Sequence, residues 1–176
     1  MTASSTPGLA RFNAAGGDEA RAALHRICTS TAWAAEVLAH RPYPDAEALL
    51  AASDTAVARM GAADLAEAMA GHPPIGRPAP DDPVSAREQR GMADAPADLR
   101  ARMRELNLAY QEKFGHVFLV CATGLTARQL YDAARNRLDN PPEREQEIVR
   151  GELAGINRIR LARLVVQTAE EGADRP

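Results

Sequence analysis

An all-α fold is predicted, a single compact helical domain of about seven or eight helices. Apolar residues recur at helical spacing along most of the chain, and runs that alternate apolar with polar, as a half-buried strand would, are lacking. Alanine is abundant while aromatics make up only 4% of residues, which suits helices packed closely through small side chains. A length of 176 residues fits one domain able to bury a substantial core.

The first helix is expected over Asp18–Cys28, with Ala22, Leu24 and Ile27 as apolar positions. Thr31–Ala39 reads as a second, carrying the only tryptophan, Trp33, and ending before the Arg41-Pro42-Tyr43-Pro44 turn. Asp45–Arg59 opens on an acidic first turn and continues through Leu49, Leu50, Ala52 and Val57. Ala62–Met69 is a shorter fourth. Between Gly71 and Pro83 stand Pro73, Pro74, Pro78 and Pro80, so helix is excluded there: proline lacks the donor and clashes with the preceding turn. Long ordered loops of this kind are often functional. Helix restarts at Ser85, and Ala97–Lys113 follows with Leu99, Met103, Leu106 and Tyr110 on one side. The apolar run Val117-Phe118-Leu119-Val120, bounded by Gly115 and Gly124, reads as a lone strand or an extended buried segment. Thr126–Leu138 is a helix capped by Thr126. Asn140-Pro141-Pro142 breaks the chain, and Glu143–Ala169 forms a long last helix. Residues 1–9 and 170–176 are expected to be polar tails, the first disordered, around a helical domain of residues 10–169.

Charge and composition exclude several classes. A net charge of −3 and a pI near 5.8 leave no basic footprint for nucleic acid. No apolar run approaches the ~20 residues that span a bilayer. The N-terminus lacks the apolar stretch of a signal peptide, and the C-terminus has no peroxisomal tripeptide, so a cytoplasmic location is expected. Cys28 and Cys121 are far apart and form no CxxC, which favours small buried hydrophobes over a disulfide or metal pair. No P-loop, GxGxxG, GxSxG or metal motif occurs.

Three places could carry chemistry. Of four histidines, His25, His40 and His116 sit in ordinary helix or turn contexts. His72 differs, because Pro73 and Pro74 stiffen the backbone directly after it and present the imidazole from a fixed loop. A general acid–base needs that held position and a near-neutral pKa; the alternative is a histidine capping the fourth helix. Ser85-Ala86-Arg87-Glu88 has the pattern of a capping box, which alone would explain Ser85 and Glu88; Gln89 adds an amide able to bind a ureido or imide group, or water. In the last helix Val149, Leu153, Ile156 and Leu164 form an apolar stripe, with Arg160 in its middle, Arg163 near its edge and Arg158 opposite. A guanidinium there should meet an anion, either a protein carboxylate or a substrate carboxylate.

Together these segments resemble one family. Gly71-His72-Pro73-Pro74-Ile75-Gly76 is similar to its His-Pro-x-Ile/Leu-Gly loop, and Ser85-Ala86-Arg87-Glu88-Gln89 to its Ser-x-x-Glu-Gln box. The Phe114–Gly124 segment is similar to Phe-Gly-x-x-Phe-[Ile/Leu]-x-Cys-Ala-x-Gly. Arg137-Leu138-x-Asn140 followed by Glu143 and Glu145, and Ile159-Arg160-Leu161, resemble its closing motifs. Phe12-Asn13, Thr31-x-Trp33 and Arg41-Pro42-Tyr43 resemble upstream ones, so the ordered set covers about residues 10–168. The family is that of the 2-oxo-4-hydroxy-4-carboxy-5-ureidoimidazoline (OHCU) decarboxylases. This chain departs from its pattern in a second loop proline, Pro74, and a proline-rich run before Ser85.

The resemblance implies an all-helical, commonly dimeric carboxy-lyase without metal or organic cofactor, which converts OHCU to (S)-allantoin in urate degradation. It implies functional coupling to urate oxidase and hydroxyisourate hydrolase. His72 would transfer the proton, Glu88 would orient or polarise substrate or His72, and Arg160 would hold an anionic or carbonyl oxygen. Ser85 and Gln89 would hydrogen-bond the ring or ureido group. Pro73 would form a wall, and Phe118, Leu119 and Val120 would offer backbone groups. The competing readings are an inactive helical binding or regulatory domain on this scaffold, and a related purine-ring hydrolase or isomerase.

Overall fold

A computed structural model of the chain describes residues 6–166. Among these residues there are ten helices and no strand. The expected tails at 1–5 and 170–176, and the expected helical residues 167–169, lie outside the described residues.

The helices are α1 (Pro7–Ala14), α2 (Gly17–Ile27), α3 (Thr31–Ala39), α4 (Ala46–Arg59), α5 (Ala62–Ala70), α6 (Pro83–Glu88), α7 (Arg90–Ala93), α8 (Ala97–Phe114), α9 (Ala127–Leu138) and α10 (Pro142–Val166). The count exceeds seven or eight for two reasons. Residues 7–9, read as tail, begin α1: Thr6 caps it by accepting from the Leu9 N–H, and Leu9 is fully buried. The helix expected from Ser85 starts at Pro83 and breaks at Gln89 into α6 and α7. Thr126 caps α9 as expected and forms a reciprocal capping box with Gln129, and Asp45, at the acidic start of α4, is its N-cap. Val117–Val120 is irregular rather than a strand, and Phe118, Leu119 and Val120 are buried.

The chain divides into two compact units, one of residues up to Glu67 together with those from Ala154, the other Ala68–Leu153. In the first, α3 packs on α2 and α4. Its upstream motifs are structural. Asn13 and Tyr43 exchange side-chain and backbone hydrogen bonds at 2.9 Å. Arg41 donates to the carbonyls of Phe12 and Ala15, and the buried Trp33 indole donates to Ser53 Oγ. In the second, α8 packs on α9 and α7 on α9. Its core joins Ile75, Met92, Met103, Tyr110, Phe118 and Leu130. No helix among the described residues is long and apolar enough to cross a membrane.

Burial, and to a lesser degree the Glu36 carboxylate, push the Tyr43 phenol up to about 12. The folded state thus favours the protonated phenol, so Tyr43 stabilises fully below its ordinary value of 10 and progressively less as pH climbs from 10 towards about 12. Tyr43→Phe is expected to flatten that part of the alkaline stability curve in urea titrations. An undiminished slope would show that other groups control it.

Candidate active site

The elements around His72 belong to the second unit. After α5 the chain turns, with the His72 N–H donating to Met69 O at 3.0 Å, and the histidine is largely buried. The loop that follows is tied down at three backbone groups. Gln89 Oε1 accepts from the Gly76 N–H at 2.8 Å, Gln89 Nε2 donates weakly to Pro73 O at 3.4 Å, and Asn107 Nδ2 donates to Ile75 O at 2.9 Å. Gly76 sits at φ +84, a backbone state that favours glycine, so the loop can reverse there while keeping its N–H aimed at Gln89. The imidazole therefore leaves a loop held from both flanks.

The capping box read in the sequence does not form. Asp82 is the N-cap of α6, accepting from the Ser85 N–H at 3.0 Å, and Pro83 occupies the first turn. Ser85 lies inside the helix, buried, and its hydroxyl donates to Asp82 Oδ2. Toward a ligand that hydroxyl can then only accept. Glu88, the last residue of α6, is buried without serving the cap. Gln89 is buried as well, and its amide clamps the loop, leaving at most one N–H and one lone pair for a ligand. Through Gln89 the end of α6 that carries Glu88 is joined to the loop that carries His72.

The Phe118–Val120 segment is held from α9. Arg137 Nη1 donates to Leu119 O at 2.8 Å, and its guanidinium lies 4.7 Å from the Phe118 ring centroid. Downstream, the Cys121 N–H donates to Glu152 Oε2 at 2.8 Å. A pocket of about 330 Å³ opens in this unit between Pro74 and Arg77 of the loop, α8, and Val117 and Phe118. Of the candidate residues its lining includes Phe118 but not His72, Pro73, Ser85, Glu88 or Gln89.

Arg160 belongs to the first unit, and the structure changes the reading of its helix. The buried row of α10 runs through Val149, Leu153, Ile156, Asn157, Leu161 and Val165, while Leu164 and Arg160 are half-buried on its flank. Arg160 Nη1 donates to a helix-end carbonyl, Ile27 O at the C-terminus of α2, at 2.8 Å. Arg158 is accounted for by its pairing with Asp54 and Glu47. Burial pushes the neighbouring Cys28 thiol up, against lowering contributions from Ser30, Asn157 and Arg160.

Sequence reasoning missed a buried ionic cluster at the junction of α8, α9 and α10. Glu145, fully buried, accepts from Tyr110 Oη, from Arg137 Nε at 2.7 Å and from Asn140 Nδ2 at 2.8 Å. Burial, followed by the Glu145 hydrogen bond, raises the Tyr110 phenol far above its ordinary range. The motif Arg137-x-x-Asn140 with Glu145 was legible, but its burial was not. An acidic first turn and a basic last turn look like ordinary complements to the helix dipole.

Comparison with known proteins adds the family. A family profile described as OHCU decarboxylase matches residues 13–162. The uric acid degradation bifunctional protein TTL of Arabidopsis thaliana is 29% identical over 150 residues, covering 81% of this chain and 46% of that protein. The 2-oxo-4-hydroxy-4-carboxy-5-ureidoimidazoline decarboxylase of Amia calva is 31% identical over 77 residues, 44% of each chain. The chain thus spans less than half the length of the curated relatives it matches. A crystal structure of OHCU decarboxylase in the presence of (S)-allantoin superposes with a TM-score of 0.74 at 25% identity, covering 86% of this chain and all of that one. A crystal structure of (S)-allantoin synthase, at 19% identity and TM-score 0.67 over 89% of this chain and 53% of that one, shares the fold.

Proposed function

The chain belongs to the OHCU decarboxylase family, and on that premise we propose that it is a carboxy-lyase converting OHCU to (S)-allantoin. The observation that carries this reading in the structure is the Gln89 clamp, which joins the buried histidine's loop to the helix of the buried Glu88. An acid–base group on a fixed backbone, tied through Gln89 to the helix that carries a buried carboxylate, suits stereospecific proton delivery.

The chemistry asks little beyond orientation. The carbon that loses CO2 neighbours a ring C=N, so the electron pair of the breaking C–C bond delocalises into the substrate itself. That pair forms a C=C bond to the neighbouring carbon while the ring nitrogen takes up a proton. The neighbouring carbon, which bears the ureido group, is then protonated on one face as the hydroxyl gives up its proton and becomes the carbonyl, so that the net change is loss of CO2 and gain of one proton. The protein must orient the carboxylate, stabilise the enolic intermediate and deliver that proton. His72 is assigned the proton and Glu88 the orientation of substrate or histidine. Ser85 accepts from the ring or ureido group, and Gln89 contributes the part of its amide that the loop leaves over. Pro73 is assigned as a wall, with Phe118, Leu119 and Val120 flanking the substrate through their backbone. For Arg160 the assignment, an oxygen ligand, rests on the family resemblance alone. A cytoplasmic homodimer, supplied with substrate by urate oxidase and hydroxyisourate hydrolase, completes the proposal.

The deciding experiment supplies urate and those two upstream enzymes to the purified chain and follows the circular dichroism of allantoin. Formation of optically active allantoin above the uncatalysed background supports the reading, and its absence refutes it. Arg160→Lys should raise KM about tenfold and also lower kcat, because lysine lacks the planar fork. An unchanged KM would assign Arg160 only to the end of α2.

A further inference from the structure

We infer that the buried Arg137–Glu145 pair is a positioning device that holds the Phe118–Cys121 backbone in register for substrate. The inference rests on the proposed reading, in which that segment flanks the substrate. Neither residue is placed in contact with substrate; both act through the segment.

Three observations carry it. First, the cluster is a costly way to hold helices together. Glu145 is fully buried and Arg137 nearly so, and apolar residues of similar volume usually do as well or better for stability. Second, the guanidinium is directed at the segment rather than only at its carboxylate. While Nε is engaged by Glu145, Nη1 donates to Leu119 O and the planar group lies over the Phe118 ring. Third, among the described residues the segment has no strand partner, so its backbone polar groups need side-chain partners once buried. Arg137 meets the Leu119 carbonyl, and Glu152, also within 3.8 Å of Arg137, accepts the Cys121 N–H. Tyr110 and Asn140 fix Glu145, Glu145 fixes Arg137, and Arg137 fixes the segment.

The test replaces the whole cluster with apolar groups, Tyr110→Phe/Arg137→Met/Glu145→Leu, so that no charge is stranded. Two readouts follow in the folded variant. The half-buried Cys121 thiol should react with an aromatic disulfide reagent at least about tenfold faster than in the parent protein, with the buried Cys28 as the slow internal control. The KM for OHCU should rise about tenfold, with a smaller change in kcat, since the segment contacts ground and transition states alike. Should the triple variant fail to fold, Glu152→Gln loosens the same segment from its half-exposed side and should accelerate Cys121 labelling by a smaller factor. Unchanged labelling in a folded variant overturns the holding role. Faster labelling with an unchanged KM overturns the link to substrate. A parent protein that makes no allantoin overturns the proposed function instead, and labelling alone then decides whether the cluster holds the segment.

Discussion

His72→Asn is expected to lower kcat by about 10²–10⁴ while changing the affinity for (S)-allantoin only a few-fold. Asparagine is close to histidine in size and can hydrogen-bond, but it cannot exchange a proton near neutral pH. The loop should keep its shape in the variant, because three of its anchors do not involve His72: Gln89 holds Pro73 O and the Gly76 N–H, and Asn107 holds Ile75 O. The loss should therefore fall on turnover rather than on product binding or folding. Kinetics followed by circular dichroism, beside calorimetric titration with (S)-allantoin, separate the two. Full activity in His72→Asn would refute the assignment of the proton to His72. Lost activity together with lost allantoin binding would make the histidine a structural part of the loop.

The reading of the loop from sequence succeeded because prolines act locally. Pro73 and Pro74 forbid helix wherever the rest of the chain lies, so an irregular, stiffened backbone after His72 followed from two residues. The capping-box reading failed for a reason equally local. Asp82, just before Pro83, competed with Ser85 for the N-cap and won, because Pro83 suits the first helical position and Asp82 can then reach the Ser85 N–H. Periodicity found α10 but misjudged its buried row: Leu164 drew the stripe to one side, whereas Asn157, a polar residue, sits fully buried in the true row. A pattern of hydrophobicity alone does not reveal a buried amide. Nor does it reveal a buried carboxylate such as Glu145, whose partners are 5, 8 and 35 residues away.

Removing only one member of that cluster should have the largest effect on stability of any single change discussed. Arg137→Met leaves the Glu145 carboxylate fully buried with Tyr110 and Asn140 as its remaining neutral donors, and no cation to offset its charge. Breaking a buried pair in this way costs about 3–5 kcal/mol, against typical total stabilities of about 5–15 kcal/mol. The proper control is a pair of the same kind placed in water. Arg158 also meets two carboxylates, Asp54 and Glu47, but its side chain is 37% exposed and theirs 40% and 74%. Its methionine variant should lose no more than about 1 kcal/mol, because solvent screens the pair and hydrates what remains. Urea unfolding of the two variants in the same buffer measures the contrast directly. Equal losses would mean that water reaches Glu145 when Arg137 is gone. The charge would then be solvated where it stands, and the high cost of burying the pair, from which its positioning role is argued, would no longer hold.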